Sequence, residues 1–151
     1  MNSGKKRAAA EQKPNIIFIL LDNIGWGTFG VYGGTIPTPR IDKFASEGIR
    51  FNNYNVEAQC TPTRSAILTG RHPVRSGTFR VPYPGEGLSG MAPWEYTIAK
   101  LLSDSGYATA LYGKWHLGEH QGRLPNDQGF HREALHPAPV AYVLRPDQRS
   151  A

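Results

Sequence analysis

One cysteine is all that the 151 residues contain, so no disulfide can form within the chain. Long hydrophobic runs are missing too. The first apolar run, Ile16 to Leu21, is far too short to span a bilayer. Ahead of it, Met1 to Lys13 passes from Lys5-Lys6-Arg7 through Ala8-Ala9-Ala10 into Glu11-Gln12-Lys13 without the apolar stretch of a secretion signal. These absences predict a cytoplasmic chain with no membrane partner; a periplasmic or secreted location would require a segment upstream. Charge of one sign is not concentrated either. Seventeen basic and 12 acidic residues leave a net +5, only Lys5-Lys6-Arg7 forms a block, and the aromatics do not interleave with the basic residues, which argues against nucleic acid as a partner. No internal repeat occurs. The glycines after Asp22 lack the GxGxxG spacing ahead of a helix that a dinucleotide site needs.

What is present reads as alternating strands and helices. Ile16-Ile17-Phe18-Ile19-Leu20-Leu21 is continuous and rich in β-branched residues, the pattern of a strand buried on both faces of a parallel sheet. It ends on Asp22-Asn23, polar groups at the carboxyl end of a strand, where open α/β sheets bind ligands. Thr38-Pro39 starts a helix that turns Ile41, Phe44 and Ala45 inward and stops at Gly48, and Ile49 to Val56 is expected to return as a strand. Arg71 to Pro93 is a long loop broken by Pro and Gly, of the kind that forms a functional rim. Trp94, Ile98, Leu101 and Leu102 recur at helical spacing up to Gly106, and Tyr107 to Tyr112 is a short strand running into Gly113-Lys114-Trp115-His116-Leu117-Gly118. From Glu119 onward no period of either kind is clear, and Val140 to Leu144 reads as a strand with nothing after it to pair with.

Between these elements stands Cys60-Thr61-Pro62-Thr63-Arg64-Ser65-Ala66-Ile67-Leu68-Thr69-Gly70. Pro62 suits the first turn of a helix and Gly70 the position just past its end. Cys60 therefore falls at a helix N-terminus, where unpaired N–H groups and the positive dipole end favour an anion. Arg64 lies about one helical turn further on and carries a planar, permanently charged fork.

Three blocks in this order, Pro14 to Gly33 with Asp22, CxPxR at Cys60, and Gly106 to Gly118 with GKWHLG, resemble the N-terminal part of a type I sulfatase, of the arylsulfatase group in the alkaline-phosphatase-like superfamily. The resemblance runs from about Pro14 to Phe130. It implies an α/β fold: the N-terminal part of an alkaline-phosphatase-like sandwich with a mostly parallel central sheet flanked by helices, incomplete here. The corresponding division is a polar tail over 1–13, the catalytic-domain portion over 14–130 and a divergent tail rich in Pro and Arg over 131–151. It further implies hydrolysis of a small-molecule or carbohydrate sulfate ester, a formylglycine made from Cys60 by a formylglycine-generating maturation enzyme, and one divalent cation, usually calcium. By the same resemblance Cys60, Arg64, Lys114 and His116 are catalytic, and Asp22, Asn23 and Cys60 form the metal side of the site.

The resemblance also carries a departure. The family places a second acidic residue where this chain has Asn23, whose amide oxygen can coordinate calcium but brings no charge. The family's later metal and sulfate ligands have no counterpart after Gly118, since Asp127 and Asp147 are isolated, and His72, His120, His131 and His136 read as surface or rim. The change in composition at His131 predicts an N-terminal fragment from a truncated or shifted reading frame. Three readings follow: a sulfatase acting through formylglycine, a catalytically inactive sulfatase-like fragment, and a phosphoester or phosphonate hydrolase of the same superfamily.

Overall fold

The computed structural model describes residues 13–83, 86–135 and 140–146. Strand β1 (Ile16–Leu20) leaves through two 3-10 turns to helix α1 (Pro39–Glu47). Helices α2 (Cys60–Thr69), α3 (Pro73–Ser76) and α4 (Ile98–Asp104) follow, then strands β2 (Tyr107–Gly113), β3 (Arg132–Leu135) and β4 (Val140–Pro146). The fold is α/β, with one sheet in the order β1-β4-β2-β3. β4 is antiparallel to both neighbours and β3 is parallel to β2, so β1, β2 and β3 share one direction and β4 opposes them.

β4 bears on the site through its register. It places Val140 opposite Leu20 and Ala141 opposite Tyr112, so the carboxyl ends of β1 and β2 emerge side by side across a single intervening strand. Asp22 and Lys114 each follow within two residues. Val140 to Leu144, with nothing after it to pair with, pairs with two strands that are both earlier in the chain.

The core forms where β2 and the loop after it meet α2 and α4: Leu68, Met91, Ala99, Leu111, Trp115, Leu117 and Phe130 are buried together, with Leu20 packed against them. Trp115 and Phe130 meet edge to face at 6.1 Å, and the Trp115 indole N–H donates to the Arg123 carbonyl at 2.9 Å. Local signals set the helix ends as expected: Pro39 opens α1, Gly70 closes α2 at φ 65°, and Gly106 follows α4 at φ 81°.

Burial departs from expectation around β1 and α1. β1 was expected to be covered on both faces, yet it is an edge strand with Ile17 and Ile19 62% and 66% exposed. Phe44 of α1 is 80% exposed and Ile41 is also exposed. Residues 49–56 form no strand, and Trp94 precedes α4 instead of belonging to it. Periodicity reports that a face is apolar without reporting what covers it, and among the described residues nothing does. No helix among the described residues is long and apolar enough to cross a membrane.

Candidate active site

Cys60 is the first residue of α2, half-buried, behind Gln59 in the N-cap position. Gln59 makes no capping hydrogen bond; its Oε1 accepts instead from the Val81 N–H at 3.1 Å. The open first turn of α2 is thus left for whatever lies at Cys60. Thr61, Pro62, Thr63, Arg64 and Ser65 are all buried, so the motif is packed inward around its cysteine.

Asp22, just past β1, is held by two cations. Lys114 Nζ donates to Oδ2 at 2.8 Å and Arg64 Nη2 to Oδ1 at 3.3 Å. Lys114 Nζ also lies 3.3 Å from Cys60 Sγ, so one ammonium bridges the carboxylate and the thiol. The other half of the Arg64 fork, Nη1, donates to the Lys114 carbonyl at 2.7 Å. Arg64 is 1% exposed, which removes the alternative of a solvated surface ion pair. A fork that satisfies a carboxylate and a carbonyl at once is geometry only arginine offers.

The charges tune one another. The Lys114 hydrogen bond holds the Asp22 carboxyl below its ordinary value, against the opposing effect of burial and with smaller help from Cys60 and Arg64. Burial alone would lower Lys114, but its bonds to Asp22 and Cys60 outweigh that and raise it. His116 is pushed down, first by burial and then by the positive charges of Lys114 and Arg64, so its imidazole is neutral at pH 7. His116 adopts a left-handed backbone, φ 58°, and its carbonyl accepts from Thr61 Oγ1 at 2.9 Å. Its Nδ1 and the Nε of Arg64 are buried without a hydrogen-bond partner among the described residues. Unmet donors and acceptors of this kind are costly unless a further group meets them.

The structure therefore brings Asp22, Cys60, Arg64 and Lys114 into one bonded cluster, with His116 within electrostatic reach. Asn23 is exposed, left-handed at φ 58°, and shares no hydrogen bond with the cluster. Against a divalent cation the donor set falls short. Calcium takes about six to eight oxygens; among the described residues no group of three or more His, Cys, Asp or Glu is positioned to hold a metal, and both Asp22 oxygens already face cations. Of the other histidines, His72 and His120 are exposed, and His131 serves the backbone by accepting from the Thr109 N–H; His136 lies outside the described residues. Thr61 is a site residue the sequence reading passed over. It occupies a wild-card position of CxPxR, and only the fold reveals that it fastens the His116 loop.

The sequence model of the family described as Sulfatase matches residues 14–149. The chain belongs to the sulfatase family. Human arylsulfatase G is 42% identical over 130 residues, a stretch covering 85% of this chain and 24% of that protein. Human N-acetylgalactosamine-6-sulfatase is 40% identical over 136 residues, 84% of this chain and 26% of that one. The crystal structure of Ps i-CgsB superposes with a TM-score of 0.77 at 36% identity, covering 83% of this chain and 29% of that one; the same protein has been solved with k-i-k-neocarrahexaose. The sulfatase chain thus spans about a quarter of the length of the relatives it matches. The family match runs through β4, past the change in composition at His131.

Proposed function

We propose that this sulfatase chain carries the nucleophile-bearing part of a site that hydrolyses sulfate monoesters, with position 60 as the nucleophile. The observation that supports it is the ammonium of Lys114 held between Asp22 and Cys60. Oxidised to formylglycine by a maturation enzyme, Cys60 would supply a hydrated aldehyde, whose two hydroxyls suit attack on sulfur and later expulsion of sulfate. Lys114 would meet a sulfate oxygen as a point charge, and the open N-terminus of α2 would favour the same anion. His116, neutral near pH 7, is suited to take and return a proton at the ester oxygen. Arg64 holds Asp22 and the Lys114 backbone in register and does not itself need to touch substrate. Asp22 and the Asn23 amide oxygen are what this chain would offer a calcium ion; they are too few to form its site. The relatives' names point to sulfated carbohydrate as the substrate class.

A second reading, a catalytically inactive sulfatase-like chain that binds an anion, draws support from that short donor set and from the uncovered faces of β1 and α1. Purified chain with added calcium, assayed on a chromogenic aryl sulfate and on the matching aryl phosphate, separates the readings. Sulfate turnover that disappears in Cys60→Ala supports the first. Turnover of neither ester, with Cys60 unmodified by peptide mass spectrometry, supports the second, and preference for phosphate would favour a phosphoester hydrolase.

A further inference from the structure

A divalent cation needs oxygens that nothing else has claimed, and the oxygens around Cys60 are claimed. Those of Asp22 accept from Lys114 Nζ at 2.8 Å and from Arg64 Nη2 at 3.3 Å. The Lys114 carbonyl accepts from Arg64 Nη1 at 2.7 Å, and the His116 carbonyl from Thr61 Oγ1 at 2.9 Å. Both carboxylate oxygens and both carbonyls of the site thus face donors. Calcium is a hard cation that coordinates about six to eight oxygens, so the Cys60 sulfur does not make up the shortfall. Asn23, the neighbour of Asp22 in sequence, is exposed at φ 58° and shares no hydrogen bond with the cluster.

Charge points the same way. Asp22 brings one negative charge while Lys114 and Arg64 bring two positive ones, so the bonded group already carries a positive surplus. A divalent cation would add to that surplus where Arg64 is 1% and Asp22 13% exposed and water screens little. A doubly charged oxyanion would offset it. The unmet polar capacity also suits an anion. An ammonium has three donors, and Lys114 spends two of them, on Asp22 and on Cys60 Sγ at 3.3 Å, with its side chain 20% exposed. Arg64 Nε, which can only donate, is buried without a partner among the described residues.

Resting on the sulfate reading above for its anion, we propose that the Lys114 ammonium does for Asp22 and an incoming oxyanion what the family resemblance assigns to a divalent cation: the site of this chain takes the oxyanion alone and is closed to calcium. Calcium would have to displace Lys114 from Asp22, and Arg64 holds that carboxylate from its other oxygen. The nitrogen NMR resonance of the Lys114 ammonium, assigned with Lys114→Arg, reads both ions in the full chain after treatment with EDTA. At matched ionic strength, sodium sulfate is expected to shift it along the same saturation curve in EDTA and in calcium chloride at about 5 mM, a concentration above the dissociation constants of weak calcium modules. Calcium chloride alone is expected to leave the resonance where it is. Movement by calcium that saturates below about 1 mM, or movement by sulfate only when calcium is present, overturns the proposal. Lys114→Met, which leaves Arg64 on Asp22, is expected to weaken sulfate binding at least about tenfold by calorimetry, with no recovery when calcium is added. Recovery with calcium overturns the proposal as well. If sulfate moves the resonance in neither solution, the sulfate reading falls, and the response to calcium alone still decides whether the ion pair is closed to the metal.

Discussion

The carboxyl end of β1 and the body of β1 with α1 differ in how much of their chemistry is met among the described residues. At its carboxyl end, Asp22 is bound by two cations, Arg64 is buried with both ends of its fork used, and the core of Leu111, Leu117 and Phe130 lies close behind. Along the strand itself and on α1, large apolar side chains stand open, Ile17, Ile19, Ile41 and Phe44 among them. The first region is built by contacts between residues far apart in sequence; in the second, β1 is held on one side by its ladder with β4, and α1 mostly by its own local turns, such as Thr38 Oγ1 and Asp42 serving the Gly30 and Val31 N–H groups. Substitutions should consequently be felt very unequally.

The largest effect is expected at Arg64. Replacement by Met strands a mostly buried carboxylate with one cation and should lower stability by about 3–5 kcal/mol in urea unfolding; Arg64→Lys should recover only part, because it restores charge without the fork. Phe130→Ala, at a side chain 2% exposed, should lose about 3–5 kcal/mol by the same measurement. Were Phe44→Ala to cost as much, the contrast between the regions would fail; at 80% exposure it should stay within about 0.5 kcal/mol. Thr61→Val removes the donor to the part-buried His116 carbonyl and should cost about 0.5–1.5 kcal/mol, while Thr61→Ser should retain most of it.

The pH dependence gives the smallest effect. Both Asp22 and His116 have folded values below their ordinary ones, so each contributes stability that is present above its unfolded value and is lost as pH falls. The His116 window opens below 6.5 and the Asp22 window below 3.8. His116→Gln should flatten the unfolding midpoint over the upper window and leave the lower one unchanged; Asp22→Asn should do the reverse.

Much of the local architecture was legible in the residues. Pro and Gly mark the ends of α2, the apolar run of β1 and the short run Tyr107 to Tyr112 read as strands, and the resemblance of the three motif blocks points to Asp22, Cys60, Arg64, Lys114 and His116. What was not legible is non-local. Nothing in Val140 to Pro146 states that it pairs with Ile16 and Tyr107 at once, since strand pairing is decided by partners and not by propensity. Thr61 was invisible for the same reason: its role lies in a carbonyl contributed by His116. Ile49 to Val56 had strand-like residues without a strand to join, and exposure won over propensity there.

The antiparallel β4 has a consequence for the order of events in folding. It joins Ile16 to Leu144 in one ladder and Tyr107 to Pro146 in the other, so the strands that carry Asp22 and Lys114 reach their spacing only once the last strand is in place. Closing loops of that span comes late and slowly, because their entropy must be lost before the pairing rewards it. During synthesis the motif helix at Cys60 would emerge and form long before its carboxylate and ammonium are brought together. The cysteine would thus pass through an interval in which it is presented on a helix end without its later neighbours around it.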